Sequence, residues 1–269
     1  MKKRKPIIAT LLSLLALTAC EDVIEIDLNS IEPKLVIEAV ITDQTVQQTV
    51  KLTKTGDYFD PGIYPTVSYA NVIISDNLGN SETLTEVNPG IYQTANLQGT
   101  PGIVYSLSVE VEDIEYSAIS EMPVKVNIDT LSTEFFEATP RFDEGYMVKC
   151  HFTDPAGINN YYRLKTYENG VLLNSSSDFV LSDDKVFDGN MAQMPLRMKT
   201  FQINDTITVE LLSLNKDTYD YYNTLIENSS GPGFMSGGST PANPLSNISN
   251  GAMGYFGVYT ISSKTIIIQ

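Results

Sequence analysis

The sequence predicts an all-β chain: two tandem immunoglobulin-like or fibronectin-like β-sandwich domains, the second carrying one inserted helix. Three observations carry this prediction. Apolar residues recur at every second position along short segments, as in Leu35, Ile37, Ala39 and Ile41, and successive strand side chains point to opposite faces of a sheet. Turn-forming residues punctuate the chain, and about seven such segments fall within roughly 100 residues, the density of a sandwich. One stretch, Lys216 to Asn228, shifts instead to helical spacing. With no tryptophan in the chain, the Cys–Trp–Cys hallmark of antibody domains is missing.

Length sets the domain count. A chain of 269 residues exceeds the roughly 100–200 residues of one domain, so two are expected. Hydrophobic residues make up 42%, enough to bury sizeable cores and to exclude a disordered chain. The expected division is a signal over 1–19, a tether over 20–32, an N-terminal sandwich over 33–128 and a β-rich C-terminal domain over 129–269.

The first domain opens with the Leu35–Ile41 alternation, a turn at Thr42-Asp43-Gln44 and a strand from Thr49 to Thr55. Tyr58 to Tyr69 holds Pro61, Gly62 and Pro65 and reads as a loop. Strands follow over Ala70–Ser75, Ser81–Val87 and Ile91–Thr94, separated by turns at Asp76–Asn80 and Asn88-Pro89-Gly90. Gly102 to Val111 alternates most cleanly and returns through Glu112-Asp113 to Ile114–Ala118; Val124, Val126 and Ile128 alternate again.

In the second domain, strands are predicted over Leu131–Phe136, Tyr146–Phe152, Tyr161–Tyr167, Val171–Asn174 and Thr206–Leu214. Asn169-Gly170 between two of them is a hairpin signal, because both turn positions need positive φ. Asp178 to Met198 reads as irregular. In the helix, Tyr219, Tyr222, Leu225 and Ile226 share one face, Asn215 or Asp217 can cap the start, and Gly231-Pro232-Gly233 stops it. Ser229 to Gly254 is a long Gly/Pro/Ser/Asn loop, and loops of that length inside domains are usually functional or self-packed. Tyr255 to Ile268 closes the chain as one or two strands, whose apolar end must be paired or buried.

The N-terminus carries the sharpest motif. Lys2, Lys3, Arg4 and Lys5 precede an apolar run from Ile7 to Leu17, too short for the roughly 20 residues that span a bilayer. The run ends in Leu17-Thr18-Ala19-Cys20, which resembles a bacterial lipobox, implying cleavage before Cys20 and acylation of its thiol. Removing the four basic signal residues leaves thirteen against 33 acidic ones, a net charge of about −20. Such a field repels nucleic acid and anionic membrane surfaces.

His151 is the one histidine, which removes multi-histidine zinc sites and most hydrolase triads. Cys150 shares a strand face with Tyr146, Val148 and Phe152 and reads as a buried hydrophobe, with His151 on the opposite face. With Cys20 acylated, Cys150 has no disulfide partner. Asp183, Asp184 and Asp188, with Asn190, offer oxygen ligands for calcium, but their spacing does not follow an EF-hand and an ordinary acidic loop is the preferred reading. No catalytic set, no metal and no cofactor is assigned. For binding, the candidates are Tyr221, Tyr222, Asn243, Asn247 and Tyr255 around the long loop. Against this stands a simpler role, in which these tyrosines anchor helix and loop to the core.

Several segments carry a family likeness. Leu35–Asp43, Glu121-Met122-Pro123-Val124, Asn160-Tyr161-Tyr162-Arg163, Lys216–Tyr222, and Asn243–Ile248 with Gly254-Tyr255-Phe256 together resemble a Bacteroidota lipoprotein family with a domain of unknown function. The likeness spans the whole mature chain; Asn250-Gly251-Ala252-Met253 departs from its usual glycine pair. It implies an outer-membrane lipoprotein, often encoded beside a TonB-dependent transporter, and it implies no reaction; with the lipobox and the sandwich pattern, the expectation is a lipid-anchored, non-catalytic accessory to nutrient capture or uptake. The alternative is a surface adhesin or structural interaction module. Expected partners are the membrane, through the acyl chains, and the transporter; nucleic acid is not expected.

Overall fold

The computed structural model describes residues 32–56, 62–140, 143–175, 178–196, 199–229 and 243–269. The signal, Cys20, most of the tether, the Gly231-Pro232-Gly233 stop and the centre of the 229–254 loop lie outside the described residues. The first half supplies β1 (Leu35–Thr42), β2 (Thr49–Lys54), β3 (Asn71–Asp76), β4 (Ser81–Thr83), β5 (Thr85–Asn88), β6 (Ile91–Gln93), β7 (Val104–Val111) and β8 (Ile114–Glu121). The second half supplies β9 (Ile128–Phe136), β10 (Gly145–Thr153), β11 (Tyr161–Glu168), β12 (Val171–Leu172), β13 (Val180–Asp183), β14 (Met191–Pro195) and β15 (Thr206–Leu214). The helix α1 (Lys216–Ser229) and the closing strand β16 (Met253–Ile267) follow. The fold is all-β and sandwich-like, with one short helix among the described residues.

One long sheet organises the described residues. Its order is β12-β11-β15-β16-β1-β2-β6-β5, with β13 also on β11. A four-stranded sheet, β4-β3-β7-β8, packs on the β1–β2–β6 end, and a three-stranded sheet, β14-β10-β9, packs on the β11–β15 end. The first core therefore gathers Ile37, Ile41, Leu52, Ile74 and Leu107, and the second gathers Phe152, Tyr162, Leu164, Ile207 and Leu211. On the opposite face of the long sheet, Leu212, Leu214 and Tyr259 meet Tyr222 of α1. Leu211 and Leu212 thus serve different layers, as strand alternation requires.

The halves are joined by β16. Met253 to Tyr259 pairs parallel with Val36 to Thr42 of β1, and Thr260 to Ile267 pairs antiparallel with Ser213 back to Thr206 of β15. At about 3.3 Å per residue its 15 residues run roughly 50 Å. The expected boundary at 128/129 consequently does not divide the sheet. Ile248, Ala252, Phe256 and Val258 pack in the first core although they lie in the C-terminal segment 129–269.

Turn chemistry follows the sequence. Asn169 and Gly170 have φ of 51° and 82°, and Glu112 and Asp113 have φ of 51° and 64°, the positive pairs of a tight hairpin. Three segments differ from expectation. Ser81–Val87 breaks at buried Leu84, so β4 joins one sheet and β5 the other. The stretch 178–198 holds β13 and β14; in β14 only Ala192 and Met194 are buried, an alternation too weakly apolar to stand out. Val124 and Val126 enter no strand. Instead the Val126 and Ile128 amides donate to the hydroxyls of Ser213 (3.3 Å) and Ser262 (3.0 Å).

Candidate functional site

Where the halves meet, the linker after β8, the loop before β11 and the start of α1 enclose a cleft of about 410 Å³. Glu121, Pro123 and Val124 form one wall, Ile158, Asn159, Asn160 and Tyr161 another, and Leu214, Asn215 and Lys216 the floor. Its walls are held from both sides. Met122 is wholly buried in the first core, and Val126 is buried in the second. Asn215 caps the helix by accepting from the Thr218 amide (3.0 Å), and its own amide donates to Ser120 on β8. Tyr219 packs on Tyr161 with ring centroids 4.9 Å apart.

The lining is amphipathic. Val124 and Ile158 are about half exposed at the rim (55% and 49%), beside three side-chain amides, one carboxylate and one ammonium. Apolar walls with a few placed polar groups are the usual composition of a small-ligand or peptide site, and the volume falls in the usual range of roughly 300–1,000 Å³. A second cleft of about 340 Å³ lies at the far end of the first core, near Asp76, Asn96 and Tyr105. It involves one core only.

The tyrosines singled out in the sequence are brought together, but inward. Tyr221 stacks on Tyr255 at 4.4 Å, and the Tyr222 and Tyr255 hydroxyls are 2.9 Å apart. Tyr222 is buried, and the Arg163 guanidinium lies 4.2 Å from the Phe179 ring centre and 4.4 Å from that of Tyr222. This cation–π sandwich was not legible beforehand, because Phe179 lies in a stretch read as irregular. Burial pushes Tyr221 up to about 12 and holds Tyr255 well above the ordinary phenol value, with neighbouring Tyr222 adding to it. Asn247 donates to the Phe256 carbonyl (3.0 Å) and accepts from its amide (2.9 Å), acting as a surrogate strand partner. Asn243 is exposed. Tyr221, Tyr222, Asn247 and Tyr255 therefore anchor the helix and loop to β16.

Of the acidic candidates, Asp184 and Asp188 converge but Asp183 does not; it pairs with Lys185. Its place is taken by Asp154, at the end of β10. Cys150 is fully buried, its thiol pushed up to about 12 by burial and then by the Asp129 carboxylate, so it is no nucleophile. His151 lies on the other face with Nε2 2.7 Å from the Ser132 hydroxyl. Among the described residues no carboxylate bonds its Nδ1, so nothing orients the ring as a general base requires.

A domain of unknown function, DUF4249, covers residues 21–265. The chain belongs to that family. No curated protein matches it. The DUF4249 match begins at the residue after Cys20 and takes in both cores, so the family unit is the whole two-core body. Three of the segments that carry the sequence likeness, at Glu121–Val124, Asn160–Arg163 and Lys216–Tyr222, contribute residues to the junction cleft.

Proposed function

We propose that this DUF4249 protein is a lipid-anchored, non-catalytic outer-membrane lipoprotein of the Bacteroidota. Facing the cell surface, it serves as an accessory to a TonB-dependent transporter in nutrient capture or uptake. The observation that carries the reading is positional: the family domain starts at residue 21, directly behind the Leu17-Thr18-Ala19-Cys20 motif. Everything ahead of Cys20 is then address, and everything after it is the working body. Each buried CH₂ of an acyl chain contributes about 0.8 kcal/mol, so several chains together give long residence at a membrane.

The junction cleft is the contact site this reading favours. It sits between two cores bridged by one strand, its amides can hold a polar ligand or peptide, and its apolar rim can pack against one.

Fractionation of cells carrying Cys20→Ala is the first test. The variant should fold, lose its acyl label and leave the outer membrane. A variant that stays there acylated overturns the anchor. For the partnership, crosslinked full-length protein purified from solubilised outer membranes should recover a TonB-dependent transporter; repeated recovery of none overturns the uptake role.

A further inference from the structure

Two loops of the second core meet, residues 154–160 after β10 and residues 184–190 after β13. They are tied by Asp154 N–H to the Asn190 carbonyl (3.0 Å), Gly157 N–H to Asp188 Oδ1 (2.7 Å), Gly189 N–H to Asp154 Oδ2 (3.1 Å) and Asn160 N–H to Asp184 Oδ2 (2.6 Å). This brings the carboxylates of Asp154, Asp184 and Asp188 together, one ligand oxygen from each lying within 4.8 Å of the others.

Asp154 and Asp184 are buried, at 2% and 5% exposure. Among the described residues none of the three is ion-paired; their partners are neutral N–H groups and the Tyr162 hydroxyl. Buried carboxylates are normally paired with a cation or bound to a metal, since like charges at this range repel strongly.

A second observation points the same way. The side-chain oxygen of Asn160, a residue only 6% exposed, has no hydrogen-bond partner. Asn160 immediately precedes β11. Tyr162 of that strand bonds Asp154, while the Asn160 backbone is bonded to Asp184 in both directions. The orphan oxygen thus belongs to a residue whose own backbone amide is 2.6 Å from the Asp184 carboxylate, and it lies beside the cluster. An unsatisfied buried acceptor is costly, and a cation would satisfy it.

We propose that Asp154, Asp184, Asp188 and the Asn160 side-chain oxygen bind one calcium ion that clamps these two loops. All four ligands are hard oxygens. Two oxygens on a shared calcium at about 2.4 Å can be at most about 4.8 Å apart, which the cluster satisfies. Irregular carboxylate-rich loops favour calcium over magnesium, which demands a tighter octahedron.

The test uses the full mature lipoprotein in detergent, stripped with EDTA, with metal content and thermal unfolding measured as calcium is added. One calcium per chain should bind and raise the melting temperature. Asp188→Asn keeps the oxygen that accepts from Gly157 and removes a charge. It should weaken calcium binding by about tenfold or more, yet melt no lower than the parent in EDTA. Asp184→Asn should behave alike in binding; should it fail to fold, the exposed Asp188 variant still decides. Glu110→Gln, on an exposed strand position, should bind as the parent does. The proposal is overturned if millimolar calcium leaves metal content and melting unchanged, if Glu110→Gln weakens binding as much as Asp188→Asn, or if magnesium binds as tightly as calcium.

Discussion

Gly254 lies so close to Ile37 that a Cβ added there would sit 2.1 Å from the Ile37 carbonyl oxygen. The contact is the parallel pairing of β16 with β1, at φ of 94° for Gly254. It lies inside the Gly254-Tyr255-Phe256 segment, and it lets the last strand enter the sheet beside the first. Gly254→Ala combines a backbone clash with left-handed strain, and should cost about 3 kcal/mol or more. Urea unfolding would measure it. A loss below about 1 kcal/mol would mean that β16 can shift on β1 without penalty.

Asp43 links three parts of the chain. It accepts from the Ile261 amide of β16 (2.9 Å), the Gln44 side chain (2.7 Å) and the Lys125 ammonium of the linker (2.8 Å). Burial by itself would raise its pKa, but the bonds from Lys125, Gln44 and Ile261 outweigh it and hold the carboxyl below its ordinary 3.8. A depressed folded value stabilises the fold above the unfolded value, and the contribution is lost as pH falls through the folded one. Asp43→Asn should therefore cost about 2 kcal/mol at neutral pH, and the gap to the parent should narrow below pH 3.8. Denaturant midpoints across pH would read it; a gap constant with pH would remove the charge from the account.

Cys150 offers a reporter of the second core. With its thiol near 12, roughly one molecule in 10,000 carries the thiolate at pH 8, and burial blocks access besides. Alkylation should be at least about a hundredfold slower in the native protein than in denaturant. Equal rates would place Cys150 outside the core.

Local signals in the sequence proved readable where one strand's own pattern decides the outcome. Leu35, Ile37, Ala39 and Ile41 alternate into the first core, Asn169-Gly170 turns a hairpin, and Tyr219 and Tyr222 present α1 to the sheet. Reading failed where the pattern is shared or weak. Leu84 carries the chain from one sheet to another within a run of apparently uniform alternation. In β14, Met191 and Pro195 are exposed around buried Ala192 and Met194, so its apolar face is thin.

The candidate site was legible only in pieces. The segments at Glu121–Val124, Asn160–Tyr161 and Lys216 stand out singly, yet their convergence on one cleft spans nearly 100 residues of chain. Asp154 went unnoticed because it lies 30 residues before Asp184, just past the end of β10. Asp183 and Asp184 looked equivalent, although Asp183 ends β13 and pairs with Lys185 while Asp184 opens the loop that turns to Asn160.

By itself, the sequence determined the lipobox-like motif at Cys20, the all-β class, the helix at Lys216–Ser229 and most strand positions. Each depends on residues within a few positions of one another, and local periodicity and turn chemistry are written there directly. Only the tertiary structure decided that β16 joins β1 to β15, that the halves share one sheet, and that Asp154 meets Asp184 and Asp188. Pairing between distant strands is set by the burial of whole faces and the closure of long loops, and neither leaves a mark on any short stretch of sequence.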